Sequence, residues 1–218
     1  MSLILYFAPG ACSFVPHCLL EAADTAYEPR MVKLHKGEQY EATYQSINPR
    51  GQVPVLVDDG HVITQIVAIS LYLAERFPQA HFLPAAGLAR AKVLETLSWM
   101  NNTVHTTFTH VFMPQKYSNA PDVQADIKAH AVTTYRSLLA EMQDLLQAAL
   151  ATGQPWFGGA HFGPLDAYAL TLTRWGSIAG IDPNDFPQLW AFVQRVAQHP
   201  PVQRAIERER LQLNVLQR

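Results

Sequence analysis

The hydrophobic period of this chain changes repeatedly over its first 77 residues and then settles on a helical period for the rest. Strands alternate their faces and helices repeat at three- and four-residue steps, so such switching constrains the fold more than any single residue does. Leu3 to Phe7 is a short apolar run ended by Ala8-Pro9-Gly10, the pattern of a buried strand entering a turn. From Ser13 to Ala23 the apolar Phe14, Cys18, Leu19 and Ala22 fall at helical spacing, and Tyr27 to Leu34 alternates like a second strand. The polar, tyrosine-bearing stretch from Lys36 to Ser46 suits an irregular helix. Val53 to Val57 and Val62 to Thr64 flank Asp58-Asp59-Gly60, a hairpin signal in which glycine supplies a positive φ. Thr64 is expected to cap a helix from Gln65 to Arg76, with Val67, Leu71 and Ala74 facing inward.

The order β-α-β, irregular α, β-β-α is that of a thioredoxin-like domain with helices on both faces of a small mixed sheet. Around Pro78 the texture becomes aperiodic, as in a connector between domains. Beyond it only helical patterns occur, at about Leu88 to Phe112, Asp122 to Ala149, Pro164 to Ile178, Pro187 to Gln198 and Pro200 to Glu209. The expected architecture is an α/β thioredoxin-like domain over residues 1–77, a linker over 78–87 and an all-α domain over 88–218. Composition narrows the function. With 218 residues, 49% hydrophobic and 16% charged, the chain has a real core and is not disordered. Sixteen basic against 18 acidic residues leave no surplus to attract nucleic acid. No apolar run approaches the roughly 18 residues of a membrane span, and the first residues lack a secretion signal. The two cysteines, Cys12 and Cys18, make no disulfide framework, which fits a reducing cytoplasm. So few charges point to apolar surface buried against another subunit.

Three segments carry chemistry. In Pro9-Gly10-Ala11-Cys12-Ser13 a strand ends and a helix begins, where free backbone amides favour a thiolate. Cys12 is then a nucleophile or Ser13 a donor to a bound thiolate; the plain alternatives are a buried filler and a helix cap. Cys18 lies too far on for a C-x-x-C redox pair and reads as core. In Gly51-Gln52-Val53-Pro54 a proline opens a strand, so Val53 turns its backbone groups outward if the bond is cis; an ordinary turn is the simpler reading. At Thr64-Gln65-Ile66 a helix start offers amides to a carboxylate and Gln65 a two-way hydrogen-bonding side chain, or merely a cap. His105 and His110 lie on different sides of one helix without further ligands, so no metal site is expected. Phe108, Phe112, Tyr117 and Trp175 are candidates for an apolar pocket at the domain junction, though each alone reads as core. Glu207-Arg208-Glu209-Arg210 reads as a solvated helix face.

Taken in order, these segments resemble the cytosolic glutathione transferase family over nearly the whole chain, and its bacterial beta-like members in particular. Tyr6 to Ser13 looks like the segment that carries the beta-class cysteine, at Cys12. Gln52-Val53-Pro54 matches the segment with a cis proline, whose preceding residue pairs with the cysteinyl backbone of glutathione. Trp99 to Phe112 looks like the helix whose histidine, His105, reaches the cleft. Gly163-Pro164-Leu165-Asp166 resembles the buried capping-box helix.

The resemblance implies a homodimeric, cytoplasmic detoxification enzyme, with glutathione as co-substrate and a small hydrophobic electrophile or a glutathionylated disulfide as the other. In that reading Cys12, Ser13 and His105 are catalytic, and Gln52, Val53, Pro54, Gln65 and Ile66 bind glutathione. A binding or scaffold protein of the same fold is the alternative. The chain departs from the family where Ile66 replaces a small or hydroxyl residue, Thr106 a basic one and Gly163 a Ser or Thr cap. One lost hydrogen bond to a charged group is worth about 1.5–3 kcal/mol, or roughly ten- to a hundredfold in affinity, so Ile66 is expected to weaken glutathione binding without abolishing it.

Overall fold

A computed structural model of the protein describes residues 2–216, so the expected limits at 1 and 218 lie outside the described residues, as do Gln217 and Arg218. The first apolar run is β1, Leu3–Phe7, at the middle of a four-stranded sheet. Helix α1, Phe14–Ala22, carries the chain back to start β2, Glu28–Met31, parallel to β1. A parallel neighbour requires such a crossover. β2 is shorter than the alternation from Tyr27 predicts and is exposed throughout, an edge strand where Pro29 is tolerated. Two 3₁₀ turns and the short α2, Ala42–Gln45, occupy the irregular stretch. β3, Val55–Asp58, and β4, His61–Thr64, then pair antiparallel across Asp59 and Gly60, with φ of 45° and 85°. Two consecutive positive φ values are what a type I′ hairpin turn demands. The sheet order is β2-β1-β3-β4.

Helix α3, Ile66–Arg76, corrects the sequence reading twice. Thr64 stays in β4 opposite Val55, and Gln65, not Thr64, occupies the cap position, with φ 73° and ψ 127°. The fully inward face is Ile66, Ile69, Ser70 and Leu73, while Val67, Leu71 and Ala74 lie on its flank. Starting one residue later rotates the helix by about 100°, which is enough to move the inner stripe.

The remaining elements are helical, as expected. Helix α4, Gly87–Trp99, continues through a π-helical turn at Met100–Val104 into α5, His105–Phe112. Then come α6, Pro121–Leu150, α7, Pro164–Ile178, α8, Pro187–Ala197, and α9, Pro200–Glu209. Helix α7 is the hub, buried nearly all round, and it packs on α1 of the sheet domain as well as on α4, α6 and α8. One contiguous apolar core runs from Leu5, Leu56 and Ile69 through α1 to Tyr135, Leu139 and Leu170. A smaller cluster of Tyr6, Val32, Tyr44, Val53 and Val55 covers the other sheet face.

The expected charged face on α9 holds for Glu207, Arg208 and Arg210, which are exposed, but not for Glu209. Arg204 and Arg208 reach the half-hidden Glu21 of α1 at 2.7 and 2.8 Å, and Glu209 is 4% exposed. The side of α9 that lies on α1 buries Glu209, which finds partners there, while the opposite side stays solvated.

The start of α7 explains one departure from the family pattern. Asp166, fully buried, accepts from Gly163 N at 2.7 Å and from Phe157 N at 2.8 Å. A Cβ on Gly163 would stand 2.5 Å from the Phe82 carbonyl oxygen, so the usual Ser or Thr does not fit. Gly163→Ser supplies a better capping side chain, worth a few tenths of a kcal/mol over Gly. It also forces the Phe82 carbonyl aside, at a cost of about 1–3 kcal/mol for overpacking. The net expectation is a lower urea midpoint for Gly163→Ser at unchanged m-value; a midpoint equal to or above that of the parent contradicts the close approach.

Candidate active site

The loop between β1 and α1 is a chain of tight turns, with Ala11 N donating to Ala8 O and Phe14 N to Ala11 O at 3.0 Å each. Ser13 closes it from inside. Its hydroxyl accepts from Ala8 N at 3.1 Å and donates to Ala8 O at 3.2 Å, and the residue is fully buried. The hydroxyl makes no capping bond to α1, and its proton is placed on the Ala8 carbonyl within the loop. Cys12 faces the opposite way. Its thiol donates to the Val53 carbonyl at 3.4 Å.

Val53 precedes Pro54 through a cis peptide bond. The segment is tied down by the irregular helical stretch, since the Gln52 carbonyl accepts from Tyr44 Oη and from Asn48 Nδ2, each at 2.8 Å. That is a structural duty for Tyr44 and Asn48 that no spacing rule revealed. Val53 and Pro54 are buried, and the Gln52 side chain is exposed. At the start of α3, Gln65 is exposed and held at a φ that only glycine adopts freely, whereas the Ile66 side chain is core. The first amides of α3 are left without helical partners, as at any helix start.

From the other domain, His105 follows the π turn. A π turn holds one more residue than an α turn, which re-aims the side chains after it. The Tyr168 hydroxyl stands 2.7 Å from His105 Nδ1 and donates to Asn101 Oδ1 at 3.3 Å. Trp175 packs edge-on to the imidazole at 4.8 Å between centroids. Its Nε1–H donates to the Gly10 carbonyl at 2.8 Å, which brings His105 and the cysteine loop against one tryptophan. Burial pulls the imidazole down to about 4, so His105 is neutral at neutral pH and leaves Nε2 for a ligand. Of the four aromatic candidates, Trp175, Phe108 and Phe112 stack in sequence at 4.6 and 5.8 Å, running from the buried His105 neighbourhood to an exposed ring. Tyr117 stacks instead on His110, at the surface.

The chain is similar to known proteins over most of its length. The family descriptions "Glutathione S-transferase, N-terminal domain" and "Glutathione S-transferase, C-terminal domain" match residues 1–75 and 100–200. Glutathione S-transferase GstA of Escherichia coli O157:H7 is 32% identical over 210 residues, covering 95% of this chain and 98% of that one. The chain belongs to the glutathione S-transferase family. Among solved structures, a glutathione transferase homolog from Sulfitobacter with bound glutathione superposes with a TM-score of 0.88 at 25% identity, covering 96% of this chain and 99% of the other. A sphingomonad glutathione S-transferase complexed with glutathione does so at 0.81 and 30% identity, covering 96% and 100%.

Within this transferase fold the electrostatics of Cys12 run against the sequence expectation. The residue is only part-buried, but desolvation of its thiol pushes it up to about 12, opposed by the Cys12 and Ser13 amides and reinforced by the charge of Glu209. The amides at the start of α1 act as expected but lose to desolvation. Cys12 is thus a neutral donor at neutral pH. Among the described residues, no three His, Cys, Asp or Glu are grouped to hold a metal ion, and no helix is long and apolar enough to cross a membrane. The rate of Cys12 alkylation by iodoacetamide is expected to rise about tenfold per pH unit from pH 7 to 9, without a plateau, because the thiolate is the reactive form. A plateau at or below pH 8 contradicts the assignment.

Proposed function

We propose that the protein conjugates glutathione to small apolar electrophiles and that Cys12 serves as a hydrogen-bond donor to the glutathione sulfur. The single observation that carries this reading is the Cys12 thiol donating to the Val53 carbonyl, where the family resemblance puts the cysteinyl backbone of glutathione; burial, which keeps that thiol protonated, agrees with it. An ordinary thiol ionises near 8.5 and is a weak nucleophile at pH 7. A donor next to its sulfur stabilises the thiolate, which then forms a bond to the electrophilic carbon while the leaving group departs and the thiol proton passes to water. Val53 pairs with the tripeptide backbone beside Gln52 and Pro54, and Gln65 with the Ile66 amide holds the γ-glutamyl end. His105 approaches the sulfur through Nε2, and the Trp175–Phe108–Phe112 stack offers the apolar surface for the electrophile. Relatives whose structures hold glutathione support the co-substrate.

A nucleophilic Cys12 exchanging disulfides through a mixed disulfide is the less favoured chemistry, since it requires a thiolate that burial opposes. No observation favours a mere binding protein. The proposal extends to a cytoplasmic, detoxifying homodimer, for which exposed Leu88 and Val123 supply apolar area, and to domain limits at 1–77 and 88–218 with a 78–87 linker.

The test is turnover of chlorodinitrobenzene with glutathione. Cys12→Ala is expected to lower kcat/KM by roughly ten- to a hundredfold, the worth of one hydrogen bond to a charged group, and Cys12→Ser to recover most of it. Complete loss of conjugation in both variants, with a stable glutathione adduct on the parent Cys12, identifies a covalent role instead.

A further inference from the structure

The strongest structure that the sequence reading did not absorb lies behind the cysteine loop. Gly10, two residues before Cys12, is held at both ends of its backbone by the helical domain. Its N–H donates to Glu209 Oε2 at 2.8 Å, from the last residue of α9, and its carbonyl accepts from Trp175 Nε1 at 2.8 Å, from α7. Gly10 has φ 69°, and a Cβ there would meet the Arg174 guanidinium at 2.7 Å, so the glycine is fixed by conformation and by space. Glu209 is itself immobilised. Its other oxygen lies 2.7 Å from His17 Nδ1, with both side chains fully buried, and a carboxylate can only accept, so the imidazole donates. His17 is wedged between Phe7 and Tyr27 at 4.9 and 5.9 Å. The bonds to Arg204 and Arg208 at Glu21 hold the rest of α9 on α1.

We propose that Glu209 and Trp175 form a two-sided latch on the Gly10 peptide and are positioning residues for Cys12, placing its thiol against Val53. The latch acts across the two domains: α7 and α9 of one set the geometry of a reactive group in the other. Neither residue touches the glutathione sulfur; Glu209 acts through the loop alone, whereas Trp175 also belongs to the apolar stack offered to the electrophile. The loop has few other constraints from outside, since Ser13 ties it only to its own Ala8. Releasing Gly10 frees the turn that carries Cys12, while β1 and the sheet keep their own bonds; removing the Glu209 carboxylate also takes from α1 the partner of His17, which is why folding is checked in each variant.

The inference rests on the proposed role of Cys12, so its test pairs an activity readout with one that needs no activity. Cys12 alkylation at fixed pH reports how enclosed the thiol is, and chlorodinitrobenzene turnover reports its placement for chemistry. Glu209→Ala is expected to accelerate alkylation at least tenfold and to lower kcat by roughly ten- to a hundredfold, with KM for glutathione within about threefold. Glu209→Gln removes the charge but keeps an acceptor for Gly10 N–H, and is expected to stay within about threefold of the parent in both readouts. The exposed Glu207→Gln on the same helix controls for loss of charge on α9. Should Glu209→Ala fail to fold, Trp175→Phe removes the Nε1 donor together with part of the ring contact with His105 and Phe108, so it is read by alkylation alone and is expected to accelerate it about threefold or more. Equal acceleration in Glu209→Gln and Glu209→Ala assigns the effect to charge and overturns the latch. So does parental alkylation in folded Glu209→Ala or Trp175→Phe. If the parent shows no transferase activity but the alkylation pattern holds, the latch stands and the functional reading falls.

Discussion

The peptide unit of Gly10 is the joint on which the proposed site depends. Its N–H is bound by a carboxylate from α9 and its carbonyl by an indole from α7, so the turn carrying Cys12 is shaped from outside its own domain. The carboxylate can be buried because it is paired twice, with the Gly10 amide and the His17 imidazole. The indole carries a second load, since the same Trp175 that binds Gly10 also packs on His105 and Phe108. Cysteine loop, histidine and aromatic stack therefore share one side chain. The domain interface is not a neutral seam between a glutathione half and a substrate half but the place where both are aligned.

The character of Cys12 follows from which effect wins at that loop. Charge at a helix start is worth typically 0.3–1 kcal/mol. Desolvation outweighs the Cys12 and Ser13 amides, so the thiol is pushed up to about 12 and not down. Desolvation governs, and the thiol keeps its proton. A neutral donor beside a bound sulfur suits a transferase whose nucleophile arrives with the co-substrate. It suits a redox enzyme less, because such an enzyme must ionise its own cysteine. The neutral His105 agrees: with the Tyr168 proton given to Asn101, its Nδ1–H donates to Tyr168 and Nε2 is left as an acceptor for the glutathione thiol proton, not as a positive charge.

The fold was legible because its elements are long and periodic, or marked by punctuation that has one physical meaning. Pro164–Ile178 and Pro200–Glu209 begin at prolines that fit only a first helical turn, and the sequence placed both as they stand. The hairpin was readable from Asp59-Gly60 because few other residue pairs accept two positive φ values. The π turn was not readable, since Val93, Leu97, Met100, Val104 and Phe108 step by three and four straight through it. Local signals failed where a distant partner decides. Ser13 looks like a cap until Ala8 takes its hydroxyl, and Thr64 like one until Val55 draws it into a strand. Glu209 sits in a run whose alternating charges describe a solvated surface on any isolated helix; only the arrival of Gly10 and His17 shows otherwise. The site residues named by resemblance were found as segments, but what each side chain does there required coordinates.

The most direct measurement of the whole account is a crystal structure of the protein soaked with glutathione. The account predicts the sulfur within hydrogen-bonding distance of Cys12 Sγ with no covalent link, the cysteinyl backbone paired with Val53, the γ-glutamyl carboxylate at the first amides of α3, and Gly10 still bound by Glu209 and Trp175. A sulfur bonded to Cys12, or a tripeptide seated away from Val53, would contradict it.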